Sequence, residues 1–153
     1  MLNQSSLHAV RAMAHLAVAG DQWIRAKDLA VAADVPFHYL AKLLGLLVRA
    51  HLLSANRGKH GGYRLARSAE EITLLEVVNT IEPVLGPRQC LLWRRDCDCN
   101  GETVCAVHDA WTGVMTEVYA FLQETTLAQI AKSEGLEMPA LVAQPGAPAQ
   151  PEE

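Results

Sequence analysis

A chain of 153 residues, half of them apolar, is one domain or one domain with an arm, and its apolar content builds a core without a disulfide framework. No apolar run reaches the roughly 18 residues of a membrane span, and the N-terminus lacks the basic-then-apolar pattern of a secretory signal, so the expected place is the cytoplasm, with no membrane partner. The net charge of −4 averages two unlike halves: Met1 to Arg67 carries nine basic and three acidic residues, a net of +6, and Ser68 to Glu153 carries four and fourteen, a net of −10. Only the first half is suited to a polyanion.

Ser5 or Ser6 is the expected cap of a first helix that runs through His8, Arg11 and His15 to Ala19 and stops at Gly20. Leu7, Val10, Met13, Ala14 and Ala17 recur along it at helical spacing. Trp23 and Ile24 read as a short extended piece, and Ala26 to Ala33 as a second, short helix. Asp34-Val35-Pro36 is a turn, with Pro36 tolerated at the first position of a third helix that reaches about Ala50. Tyr39, Leu40, Leu43, Leu44, Leu47 and Val48 form its apolar face. A short helix, a tight turn and a longer amphipathic helix make the helix-turn-helix outline, although any small helical protein contains two helices and a turn.

The next stretch adds to that outline. Leu52 to Ala55 and Tyr63 to Leu65 read as two strands around the tip Arg57-Gly58-Lys59-His60-Gly61-Gly62. Arg57, Lys59 and His60 crowd charge onto this tip, which folding alone does not call for. After a helix-turn-helix such a hairpin is a wing, able to lay basic side chains on phosphates or in a minor groove. Taken alone, the tip reads rather as a solvated surface turn. Thr73 and Glu76 then have the spacing of a capping box at the head of a helix with Leu74, Leu75, Val77, Val78 and Ile81 on its apolar face, stopped by Pro83.

All four cysteines fall between Cys90 and Cys105, followed by His108. Thiolates are soft ligands for iron–sulfur clusters, zinc or copper(I), and Cys90, Cys99 and Cys105 suffice to wrap one cofactor. The spacing matches neither a zinc ribbon nor a ferredoxin, so the residues alone say metal or redox site. Beyond the loop, Val104, Val107, Trp111, Val114, Val118, Phe121 and Thr125 step by 3 and 4 in turn, the heptad seam of two packed helices. Fewer than four heptads are present, and a single chain could bury such a stripe internally. Thr126 heads a last helix, Leu127 to Lys132. The proline-rich end after Gly135 reads as a disordered tail.

The run YLAKLLGLLVRAHLLSANRGKHGGYRLARSAEEITLLEVV, from Tyr39 to Val78, resembles the signature of the Rrf-two family of bacterial winged-helix transcription regulators, the family of IscR, NsrR, RirA and CymR. The opening HAVRAMAHLA resembles its first helix, and the likeness covers about residues 1 to 132. It implies a mainly α fold with a small β-hairpin wing, a winged helix-turn-helix plus a long dimerisation helix. It also implies a homodimeric repressor or activator on double-stranded DNA with an inverted-repeat operator, no catalytic residues and no small-molecule substrate. The implied division is a DNA-binding domain over 1–82, a cofactor loop over 83–103, the dimerisation helix and short terminal helix over 104–134, and the tail over 135–153.

For DNA, the expected contacts are His38 and Lys42 on the third helix, with Arg57, Lys59 and His60 on the wing. Tyr39 sits on the core side of its helix, with its hydroxyl near enough the surface to reach a phosphate. For the cofactor, the cluster-binding members carry three cysteines before the dimer helix, five residues between the last two, as Cys99 and Cys105 have. Cys90 is then the first ligand, and His108 stands where a histidine ligand follows the last cysteine by three. In other relatives the fourth ligand is a carboxylate of the partner's first helix. The matching position here is Leu7, which cannot ligate, with His8 as an outside candidate. Cys97 has no counterpart and is either a substitute for Cys99 or a free thiol. The resemblance thus implies a 2Fe–2S cluster in preference to 4Fe–4S. The alternative is the same fold acting as a thiol- or zinc-based sensor without a cluster. An enzyme built on Cys97-Asp98-Cys99 is disfavoured, because no second catalytic constellation accompanies it.

Overall fold

The computed structural model describes residues 3–58, 60–83 and 107–133. Lys59, Val104, the four cysteines and the expected tail lie outside the described residues. Within them the order is α1 (Gln4–Ala19), α2 (Ala26–Ala32), α3 (Phe37–Arg49), β1 (Leu53–Asn56), β2 (Gly62–Leu65), α4 (Leu74–Ile81), α5 (His108–Glu124) and α6 (Leu127–Ser133).

α1 is the central post, packed against α2, α3, β2, α4 and α6. Its buried face runs through Ala9, Ala12, Met13 and Leu16, where the small alanines let neighbours approach closely. The cap is Asn3, whose side chain accepts the Ser6 amide at 2.7 Å, and not Ser5 or Ser6. Asparagine caps as well as serine does, and starting one turn earlier puts Ser6 inside the helix. Leu7, expected on the buried face, is about half exposed.

α2 closes with Val35 donating to Ala30 at 2.9 Å and Asp34 to Val31 at 3.2 Å, a Schellman motif with Asp34 at φ 52°. The chain then bends by 111° into α3, the geometry of a helix-turn-helix. Leu40, Leu43, Leu44 and Leu47 bury one face of α3 in the core. A second Schellman motif ends α3: Leu52 donates to Leu47 and His51 to Val48, both at 3.0 Å, with His51 at φ 59°. β1 leaves directly from this turn.

β1 and β2 pair antiparallel from Leu53↔Leu65 to Asn56↔Gly62. Ile24 adds a third, one-residue rung on Tyr63 through bonds of 2.8 and 3.0 Å, the extended piece expected at Trp23–Ile24. Two glycines are dictated by close approach: a Cβ at Gly61 would run into the Asn56 carbonyl, and one at Gly62 into that of Ile24.

α4 opens on the expected capping box, with Glu76 amide on Thr73 Oγ1 at 3.3 Å and Thr73 amide on Glu76 Oε2 at 3.1 Å. Thr126 and Gln129 repeat the device at α6, with bonds of 2.8 and 3.4 Å. The α5–α6 turn is stitched to the approach of α4: Leu74 donates to Thr125 at 2.9 Å, Leu127 to Ile72 at 3.0 Å and Ala128 to Ala69 at 3.1 Å. Leu127 thereby enters the main core with α1–α4, while Leu122 packs on Leu74 and Leu75 in a second cluster. The last helix is thus part of the same core as α1–α4. The result is a mainly α fold with a two-stranded wing. No single described helix is long and apolar enough to cross a membrane.

Candidate nucleic-acid interface and effector site

α3 enters its first turn at Pro36, without a capping side chain, so its leading end is bare. Phe37, His38 and Lys42 are exposed there, and His38 and Lys42, four apart, share a face. Tyr39 is turned the other way. Its ring meets His8 edge-on at 5.6 Å and its hydroxyl is hydrogen-bonded to Ser5, so it ties α3 to the head of α1. Arg57 and His60 are exposed at the wing tip, and Lys59 between them lies outside the described residues. β1 leaves α3 through the turn at His51–Leu52 and packs on it, so the wing and α3 share one frame.

Further features strengthen this face and were not anticipated. Arg64, on β2, stacks over the Trp23 ring with 4.5 Å from guanidinium carbon to centroid, bracing the wing against its third rung. Arg67 holds Glu76 at 2.6 Å at the base of the wing. Burial alone would raise the Glu76 pKa, but the Thr73 amide and then Arg67 outweigh it and hold the carboxyl below its ordinary value. Neither partnership has a sequence signal, since Trp23 and Arg64, 41 apart in number, meet only through the Ile24–Tyr63 rung.

On the effector side, His108 is the first residue of α5 and is half-buried. The four cysteines lie outside the described residues, and among the described residues no group of three His, Cys, Asp or Glu side chains gathers into a metal site. The donor set is chemically apt: three thiolates and an imidazole suit an iron–sulfur cluster, and His108 is its one described member. The other ligand considered, His8, has its Nδ1 buried without a hydrogen-bond partner among the described residues.

α5 has two apolar faces. Met115 and Leu122, seven apart, are buried within the protomer. Val107, Val114, Val118 and Phe121, four of the expected seam, are between 40% and 60% exposed, and Trp111 is half-buried.

A family model described as "Rrf2: Iron-dependent Transcriptional regulator" matches residues 2–133. An HTH-type transcriptional regulator of Mycobacterium tuberculosis is 36% identical over 126 residues, spanning 81% of this chain and 76% of its own. The HTH-type transcriptional regulator IscR of Cereibacter sphaeroides is 30% identical over 145 residues, spanning 93% and 94%. Among solved structures, CymR, the global cysteine regulator of B. subtilis, superposes with a TM-score of 0.75 at 24% identity over 87% of this chain and 97% of that one, a likeness of fold.

Proposed function

The chain belongs to the Rrf2 family of transcriptional regulators, and on that premise we propose that it acts as a homodimer whose hold on an inverted-repeat operator is set by an iron–sulfur cluster in the cysteine loop. It is a DNA-binding transcription regulator and not an enzyme. In our reading 1–82 form the DNA-binding unit, 83–103 the cofactor loop, and 104–134 the dimerisation helix with the short terminal helix, ahead of the 135–153 tail.

His38 and Lys42 contact the operator from the major groove, and Arg57, Lys59 and His60 contact it from the wing. Tyr39 fixes α3 on α1 through its bond to Ser5, and the remaining hydrogen-bonding capacity of its hydroxyl is available to a phosphate. Cys90, Cys99, Cys105 and His108 hold the cluster, 2Fe–2S in preference to 4Fe–4S, with Cys97 as substitute ligand or free thiol. A bound cluster supplies a redox-active centre whose occupancy follows iron and oxidant supply. The observation that carries the reading is the place of His108. It heads α5, the same helix that offers the bare stripe Val107, Val114, Val118 and Phe121 to a second copy. In the same reading Val104 and Trp111 belong to the dimer seam. Whatever displaces His108 displaces the start of the helix that spaces the two reading heads.

Purification without oxygen tests this, followed by iron and sulfide analysis, a visible spectrum and operator binding before and after cluster loss. Equal iron and sulfide, and a shift in operator affinity that Cys90→Ala, Cys99→Ala or Cys105→Ala abolishes, are expected. A second reading takes the same cysteines as a thiol- or zinc-based redox sensor on the same fold, without a cluster. A colourless protein with zinc or no metal after reconstitution would establish that reading in place of the first.

A further inference from the structure

We propose that Phe37 is a base-reading side chain that selects a thymine in each half-site through its C5-methyl group. The inference rests on α3 being the helix that enters the major groove.

Three observations carry it. Phe37 is the first residue of α3, and the leading residues of a reading helix are the ones that meet base edges. Phe37 is 37% exposed at the leading end of the helix, whereas Leu40, Leu43, Leu44 and Leu47 behind it are buried in the core. A large apolar side chain thus keeps more than a third of its surface open at the end of the helix that leads into the groove. The ring is also oriented: it meets His38 edge-on, 5.4 Å between centroids and 65° between planes. That contact places an apolar probe beside an imidazole able to bond a neighbouring base edge.

A phenyl ring has neither donor nor acceptor to match against the major-groove edges of guanine, cytosine or adenine. The thymine methyl is the one apolar group those edges present, and contact with it is a recognised use of phenylalanine. Replacing the methyl of thymine by hydrogen, as in deoxyuridine, removes about one buried carbon, a change of roughly fourfold in affinity.

The test begins with selection of duplexes from a random pool by the parent protein and by Phe37→Ala. Each selected site is then remade with deoxyuridine at every thymine in turn. The parent is expected to enrich a thymine at a fixed place in each half-site and to lose about fourfold in affinity when that thymine alone becomes deoxyuridine. Phe37→Ala is expected to bind the thymine and deoxyuridine sites within twofold of each other, with the folded helical content of the parent. Retention of the parent's thymine preference by Phe37→Ala would overturn the assignment of Phe37 alone. Selection that follows the wing residues and ignores every α3 substitution would overturn the reading of α3 as the groove helix.

Discussion

His15 is a polar residue that the fold keeps almost wholly from water. It is 6% exposed on the face of α1 that also buries Met13 and Leu16, and its Nδ1 has no hydrogen-bond partner among the described residues. Burial first, and the charge of Arg11 second, hold its pKa below 6.5. The folded chain thus resists a proton that the unfolded chain accepts. Stability rises with pH in that interval, is full above about 6.5, and is lost as pH falls from there toward the lower folded value. Melting temperatures measured from pH 7.5 to 5 should fall more steeply for the parent than for His15→Leu, and equal slopes would remove His15 as the cause. His51 is the converse, an exposed residue in a backbone conformation that L side chains rarely adopt, φ 59°. His51→Gly should raise unfolding free energy by about 0.5 kcal/mol in urea titration, the relief of the left-handed conformation less the extra freedom glycine gives the unfolded chain.

Elements differ in how openly the sequence states them, and the difference follows from where their information lies. α4 was legible because its start is local: Thr73 and Glu76 are three apart and their reciprocal bonds are made as expected. Thr73→Ala should cost about 1 kcal/mol in thermal or urea unfolding, and a loss below the measurement error would show that tertiary packing alone holds that start. The helix-turn-helix and hairpin were legible for the same reason, their periodicity and turn residues being contiguous. The boundaries of α1 were less so, since Asn3, Ser5 and Ser6 are all competent caps and only packing decides which one remains outside the helix. The long-range ties were not legible at all. Nothing in the run Glu124-Thr125-Thr126-Leu127 says that its backbone pairs with Ile72 and Leu74, and nothing around Tyr39 says that its hydroxyl meets Ser5. Of the candidate site, the residue types and spacing were readable. The four cysteines lie outside the described residues, and no periodicity in the sequence encodes their mutual geometry.

At the scale of the whole molecule, α5 buries one apolar face and leaves another exposed, so folding and the proposed assembly can be tested apart. Met115 and Leu122 are buried within one protomer, so cutting either to alanine removes core packing and should cost about 2–4 kcal/mol of protomer stability. Val118 and Phe121 are exposed on the other face, where a substitution changes protomer stability by no more than about 0.5 kcal/mol. If that face is the seam, a charge there faces its own symmetry mate across an apolar contact, because a two-fold interface presents the same patch twice. Val118→Asp and Phe121→Glu should then sediment as folded monomers at concentrations where the parent is a dimer, with unchanged helical content. Their operator binding should fall by two orders of magnitude or more. Each reading head alone keeps only its own half-site contacts, and the gain from linking two half-sites is on the order of 100-fold. The same variants should still hold iron and sulfide if every ligand comes from one chain. Loss of cluster together with loss of the dimer would instead place a ligand across the interface, and His8, at the head of the partner's α1, would be the residue to replace next.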